Sequence, residues 1–128
     1  SCAVALKTLE IYERDKVFQH AKKVGEYFQN SIKEILKEDY VGEVRGIGLI
    51  AGIEMYKDPS NKIPFEEAGK AGKILSDTCQ KNGLIVRPIL DTIALCPPLI
   101  ISEKEIDELT DKLKKSLQEA KDEIMKVH

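Results

Sequence analysis

Hydrophobic residues recur at steps of three and four over the first 38 residues, and this spacing predicts two helices. The first apolar stripe stops near Asp15, which we expect to be the N-cap of the second helix. Lysines and glutamates fill the opposite side of the second stripe, as on a solvated helix surface. The stripes consist of Ala3, Leu6, Leu9 and Ile11, then Val17, Ala21, Val24, Phe28, Ile32 and Ile35.

The period changes at Val41, where glycines interrupt a run of aliphatic residues that extends to Met55. Each of these glycines would cost a helix roughly 1 kcal/mol relative to alanine, so we expect two strands joined by a tight turn or bulge. Gly46, Gly48 and Gly52 do not match the dinucleotide-binding fingerprint, because the third glycine comes one residue late. No helix follows to hold a pyrophosphate, which excludes the nucleotide site.

Residues 57–86 predict a turn, a helix and a short strand. The segment KDPSNKIP at 57–64 has the Asp-Pro, Ser and Asn composition of turns. Residues 65–82 are expected to be helical, with Glu66 and Glu67 near the helix start and Gly83 as its C-terminal stop. The apolar run Leu84 to Val86 then predicts a buried strand that ends at Arg87–Pro88.

The last third of the chain predicts a second strand and a long helix. Residues 92–95 form the strand, which Pro97–Pro98 must terminate, and a further short extended segment is expected at 99–101. Ser102 and Glu105 have the spacing of a capping box at the start of the helix. The helix buries a stripe made of Ile106, Leu109, Leu113, Leu117, Ala120 and Ile124.

The order of elements is helix, helix, strands, helix, strands, helix, which indicates an α+β fold. We expect a small, mostly antiparallel sheet that helices cover on one face. A chain of 128 residues and 14.4 kDa fits a single domain, residues 1–128.

The composition of the chain argues against nucleic-acid and membrane partners. The 20 basic and 22 acidic residues leave a net charge of -2, which does not favour a nucleic-acid partner. The sequence has no run of about 18 apolar residues and no signal-peptide pattern, so we expect no membrane partner.

Three widely spaced cysteines, Cys2, Cys79 and Cys96, indicate a reducing compartment and a cytoplasmic protein without a zinc site. We expect all three thiols to pack as small hydrophobes, and Cys96, beside two prolines, is the candidate for reactivity.

Among the charged residues, Arg87 stands out because it directly follows three apolar residues at a predicted strand end. It could be an ordinary arginine that snorkels to water at the strand end, or one that pairs with Asp91 or with a helix carboxylate. Alternatively, its guanidinium fork could bind a carboxylate or phosphate ligand. For Arg45 we favour a structural ion pair.

Four stretches of the chain resemble the C-terminal part of class III aminotransferases, which are pyridoxal-phosphate enzymes of the aspartate aminotransferase fold. These stretches are SCAVALKTLE, VGEVRGIGLIAGIEM, NGLIVRP and DTIALCPPLIISEKEIDELTDKL, in the order that the family has them. The resemblance covers essentially all of the chain. It implies the α+β small domain found at the C-terminus of fold type I enzymes.

The resemblance also assigns a role to Arg87. Its distance from Pro97–Pro98 is similar to that in the ω-amino acid:pyruvate branch and in diaminopelargonate aminotransferases. In the ω-branch the corresponding arginine binds the carboxylate of the substrate or of pyruvate and swings aside for an amine. The ornithine and acetylornithine type carries its arginine at the position of Ala94, which argues against that branch. Leu90 stands where the ω-branch usually has glycine.

Cofactor and partners are implied by the same resemblance. The family's cofactor-binding lysine, pyridine-binding aspartate and phosphate-binding residues lie upstream, in a large domain. We therefore expect a fragment without catalytic or cofactor-binding residues, inactive alone. The full-length enzyme would use pyridoxal phosphate to move an amino group between an amine or amino acid and a keto acid. In it, residues 1–128 would contact the protein's own large domain, and the enzyme would form a homodimer. An aminomutase or decarboxylase of the same class, or an independent α/β interaction module, stays open as an alternative.

Overall fold

The computed structural model describes residues 1–128 and contains four α-helices and one four-stranded sheet. The predicted α+β class is therefore confirmed. The helices are α1 (Cys2–Arg14), α2 (Val17–Lys33), α3 (Lys70–Lys81) and α4 (Glu103–Ile124), with a 3₁₀ turn at Glu34–Lys37. The strands are β1 (Val41–Ile47), β2 (Ile50–Met55), β3 (Arg87–Ile89) and β4 (Thr92–Leu95).

The sheet is antiparallel throughout, in the order β1-β2-β4-β3. Alternate residues of the two central strands are buried, and the residues between them are partly exposed. Because side chains along a strand alternate between its faces, one face of the sheet lies against the helices and the other faces outward. The buried strand residues Ala51, Ile53, Met55, Ile93 and Leu95 join helix residues in one core cluster of 23 side chains.

Helices α2 and α4 follow the predicted apolar stripes. In α2, Val24, Phe28 and Ile32 are buried, and in α4 the stripe from Ile106 to Ile124 is buried except for the half-buried Leu109. The capping box at Ser102 is present, because its side chain accepts the Glu105 N–H while the Glu105 carboxylate accepts the Ser102 N–H. Both predictions are confirmed. No helix is long and apolar enough to span a membrane.

The break between α1 and α2 lies where it was predicted, but its cap is different. Asp15 does not cap α2, because its carboxylate accepts two hydrogen bonds from the Arg14 guanidinium. Lys16 precedes α2 instead, in a left-handed conformation with φ +50°, and makes no side-chain cap.

Strands β1 and β2 form the predicted hairpin. Ile47 pairs with Ile50, so Gly48 and Leu49 make a two-residue turn. Gly48 has φ +57°, a left-handed value that glycine adopts without steric cost. The glycines in this region therefore belong to a hairpin, as predicted.

Helix α3 begins at Lys70, five residues later than predicted. Glu66 and Glu67 both donate their N–H groups to the carbonyl oxygen of His128. These bonds tie the segment to the end of the chain and keep it out of the helix. The two glutamates are therefore not acids of the first helical turn, contrary to the prediction.

The buried strand predicted at Leu84–Val86 is wrong. These residues have no regular structure, Ile85 is 89% exposed, and the strand begins at Arg87 instead. The segment pairs with no strand; Leu84 and Val86 are half-buried against the core, whereas Ile85 between them points outward. The extended segment predicted at residues 99–101 is also absent, because those residues form a turn that Ile101 closes by donating its N–H to Pro98.

Candidate functional site

On the outward face of the sheet, four residues form a row, one from each strand. Arg45 on β1 pairs with Gly52 on β2. Ala94 on β4 pairs with Gly52 on one side and with Arg87 of β3 on the other. Directly paired residues point to the same side of a sheet. The row therefore has an arginine at each end and only small residues between.

Arg45 is engaged within the sheet. Its guanidinium donates to the Glu54 carboxylate and lies 3.5 Å from that of Glu43. The hydrogen bond to Glu54 is the main cause that raises the pKa of Arg45, and the nearby Glu43 carboxylate adds to it. The same hydrogen bond is the main cause that lowers the pKa of Glu54. The predicted structural ion pair of Arg45 is thus confirmed.

Arg87 makes no such pair. Of the three arginines, Arg14 binds Asp15 and Arg45 binds Glu54, whereas the exposed Arg87 guanidinium has neither an ion pair nor a hydrogen bond. The structure therefore contains one arginine whose fork is free to accept a ligand.

Asp91, one of the two predicted kinds of partner for Arg87, is occupied elsewhere. Asp91 is four residues from Arg87, but its carboxylate accepts the N–H groups of Gly69, at 2.9 Å, and Gly72, at 3.1 Å. The structural interpretation of Arg87 as a partner of Asp91 is wrong for this reason.

A groove of about 500 Å³ runs beside Arg87, between the segment before β3 and the turn after β4. Its walls are mostly apolar, including Val86, Pro97 and Leu109, and Arg87 is the only charged residue that lines it. An ion pair is stronger where apolar walls exclude part of the water. The groove can therefore bind a small organic anion through one charge-assisted fork.

The groove does not fit pyridoxal phosphate as a complete site. No lysine lines it, and no residue from the first turn of a helix lines it to hold a phosphate. The groove offers Arg87 as a candidate carboxylate-binding group and contains no group that would hold the cofactor.

Ala94 lies directly opposite Arg87 in the register. This is the position that the resemblance assigns to the arginine of the ornithine and acetylornithine type. The two arginine positions that the resemblance implies are therefore neighbours on one sheet face. In this chain only the position on β3 is cationic, and the alanine leaves the space beside it open.

Cys79 is buried as predicted, and burial raises the pKa of its thiol. Cys2 and Cys96 are exposed, so the expectation that all three thiols pack inside is wrong for these two. Cys96 lines the same groove as Arg87 because it follows the end of β4. The described residues include no group of histidines, cysteines and acids that could hold a metal ion.

Comparison with known proteins agrees with this architecture. The family described as "Aminotransferase class-III" matches residues 1–117. The chain belongs to the class III aminotransferase family. Among its relatives, a probable gamma-aminobutyrate transaminase 3 from Oryza sativa subsp. indica is 36% identical over 97% of this chain. An adenosylmethionine-8-amino-7-oxononanoate aminotransferase from Methanocaldococcus jannaschii is 38% identical over 93% of it.

Solved transaminase structures share the fold of this class III domain. An omega transaminase from Pseudomonas jessenii, in complex with PMP, has a TM-score of 0.90 at 32% identity over 95% of the chain. A transaminase solved with L-ala has a TM-score of 0.90 at 37% identity over 95% of it. The chain spans only 24% and 26% of the two sequence relatives, and 27% and 29% of the two structures.

Proposed function

We propose that residues 1–128 form the small C-terminal domain of a longer pyridoxal-phosphate-dependent aminotransferase. The full-length protein would move an amino group between an amine or amino acid and a keto acid. Membership of the class III family supports this, as do relatives that are named as transaminases. The ω-amino acid:pyruvate and diaminopelargonate branches are both compatible, since the relatives include an omega transaminase and an 8-amino-7-oxononanoate aminotransferase.

The observation that carries the proposal is the free guanidinium of Arg87 in an apolar groove. Five N–H donors in a planar fork match the two oxygens of a carboxylate. Both a keto acid and an amino acid present that group, so Arg87 would bind the carboxylate and set the orientation of the substrate. A primary amine without a carboxylate would not use this contact.

Pyridoxal phosphate would be held by residues outside this chain, since the groove lacks the groups that hold it. When bound, the cofactor supplies the electron sink that amino-group transfer needs. The role of this domain would then be to bind and orient the substrate at the edge of the sheet. We accordingly expect the isolated chain to be inactive.

The partners follow from surfaces that this chain leaves uncovered. Helix α1 has no buried residue, and Val4, Leu6 and Leu9 are each more than half exposed. Large apolar exposures of this kind usually mark contacts. We propose that the protein's own large domain or a second subunit of a homodimer covers α1. We also propose a cytoplasmic location. The three cysteines are free thiols, as is usual in a reducing compartment, and this supports it.

Product analysis with the full-length holoenzyme tests the reaction class. A ¹⁵N-labelled amine donor and pyruvate should give labelled alanine and an equal amount of the donor's carbonyl compound. An ω-amino acid donor should behave in the same way. Release of carbon dioxide would indicate a decarboxylase, and an isomer of the donor formed without keto acid would indicate an aminomutase. Transfer by residues 1–128 alone, which serve as the control, would contradict the proposed division between domains.

A further inference from the structure

Arg87 stands on the least supported strand of the sheet. β3 has three residues, all of them exposed, and it pairs on one side only, with β4. The segment before it has no regular structure. The Arg87 backbone is therefore held by its pairing with β4 and by the turn that joins β3 to β4.

That turn has two residues, Leu90 and Asp91, since Ile89 pairs directly with Thr92. Leu90 is left-handed, with φ +52°, a conformation in which non-glycine residues are uncommon. The turn is therefore not one that the local sequence favours, and contacts from elsewhere must hold it.

Asp91 provides those contacts. Its carboxylate bridges the Gly69 and Gly72 N–H groups at the start of α3, and its carbonyl accepts the Met55 N–H at 3.0 Å. The N-cap of α3 is Gly69, which has no side chain, and the first turn contains no acid. Asp91 thus supplies from another element the anion that a helix N-terminus favours.

Gly72 permits the close approach. A Cβ at this position would lie 1.9 Å from the carbonyl oxygen of Leu90. The tip of the hairpin thus rests directly on the backbone of α3, and the carboxylate of Asp91 fastens it there.

We propose that Asp91 is a positioning residue for Arg87: by fastening the hairpin tip to α3, it fixes β3 and so the place of the guanidinium in the groove. The inference rests on the proposed carboxylate-binding role of Arg87. Asp91 itself faces α3 and would not contact the substrate.

A double-mutant cycle in the full-length holoenzyme tests this. Asp91→Ala should raise the KM for pyruvate about tenfold, because small displacements of an orienting group are costly. The rate of the half-reaction with a carboxylate-free amine should stay within about twofold of wild type. Asp91→Asn keeps one acceptor oxygen, so its KM for pyruvate should lie between that of the wild type and that of Asp91→Ala. In the Arg87→Ala background, Asp91→Ala should cause no further rise in KM.

Asp58→Ala is the matched control, since Asp58 also accepts two backbone N–H groups in a turn, those of Ser60 and Asn61, but outside the groove. It should leave the KM for pyruvate unchanged. An equal loss with both substrates, or a full further rise in the Arg87→Ala background, would overturn the inference. If the alanine variant does not fold, Asp91→Asn decides, and an unchanged KM would refute the positioning role.

The two proposals fail in different ways. If Arg87→Ala leaves the KM for pyruvate unchanged, the carboxylate-binding role is wrong, and the positioning role is wrong with it. If Arg87→Ala raises this KM but Asp91→Ala does not, only the positioning role of Asp91 is wrong.

Discussion

At the scale of single residues, the contacts of Leu90 and its neighbours explain how an unfavourable conformation persists. A left-handed φ costs an L-residue about 1–2 kcal/mol. Asp91 accepts three hydrogen bonds beside it, and each contributes about 0.5–1.5 kcal/mol net. These bonds together offset the strain. They form because Gly72 leaves room for the Leu90 carbonyl.

Gly72→Ala should therefore lower the free energy of unfolding by about 1–3 kcal/mol, the usual cost of overpacking. Gly52→Ala is the control, because its Cβ would lie 3.6 Å from Thr92 Cγ2, an ordinary contact, on the open face of the sheet. Urea denaturation of the two variants and the wild type measures the difference. Equal stabilities for the two variants would show that the hairpin does not rest on α3 as described.

The sequence singles out Arg87 because a charge next to three apolar residues and a proline is visible in the residues themselves. That its guanidinium has no ion pair or hydrogen bond within the chain was not predictable from the sequence. It depends on Asp91 binding Gly69 and Gly72, which lie 22 and 19 residues away. The one local signal was the pair of glycines inside the predicted helix 65–82, where glycine is unfavourable.

At the scale of elements, predictions succeeded where the apolar pattern was long. The stripes of α2 and α4 extend over several turns and face one core, so their period alone indicates the helix. The run Leu84–Val86 is three residues long and lines a groove at the edge of the core, with Ile85 exposed. An apolar run that short does not distinguish a buried strand from the wall of a binding site.

The start of α4 gives a prediction at this scale. Ser102→Ala removes one half of the capping box and should cost about 1 kcal/mol of unfolding free energy at neutral pH. Ser31→Ala is the control, since Ser31 bonds only the carbonyl of Tyr27 inside α2. Thermal denaturation compares the two. A loss for Ser31→Ala as large as that for Ser102→Ala would contradict a specific capping role.

The capping box should also respond to pH. The backbone N–H and hydroxyl of Ser102 donate to the Glu105 carboxylate and lower its pKa. A carboxylate whose pKa is lowered by folding stabilises the fold above its unfolded pKa, and this contribution is lost as the pH falls through the folded value. Glu105→Gln should therefore destabilise the protein at about pH 7 and make little difference at about pH 3. A difference that persists at the acidic pH would rule out the charged form as its cause.

At the scale of the whole molecule, α2, α3 and α4 each bury residues in the common core, whereas α1 does not. α1 buries no residue, and Val4 and Leu6 are 70% and 69% exposed. We expect residues 1–128 to self-associate in isolation, with a light-scattering mass that rises above 14.4 kDa with concentration. Leu6→Lys should reduce this association, whereas Lys7→Ala on the same helix should not. A strictly monomeric wild-type chain at high concentration would contradict the docking role of α1.

The proposed function depends most directly on what Arg87 binds, and kcat/KM for pyruvate in full-length Arg87→Ala tests this. Loss of one partner of such a pair costs about 2–5 kcal/mol, so kcat/KM should fall tens- to thousands-fold, and less in Arg87→Lys. A carboxylate-free amine should be little affected in its half-reaction, and the melting temperature should barely change. Arg45→Ala, at the other end of the same row, should leave kcat/KM for pyruvate near the wild-type value. An equal fall for both substrates in Arg87→Ala, or a variant that merely unfolds, would make Arg87 structural and contradict the carboxylate-binding site.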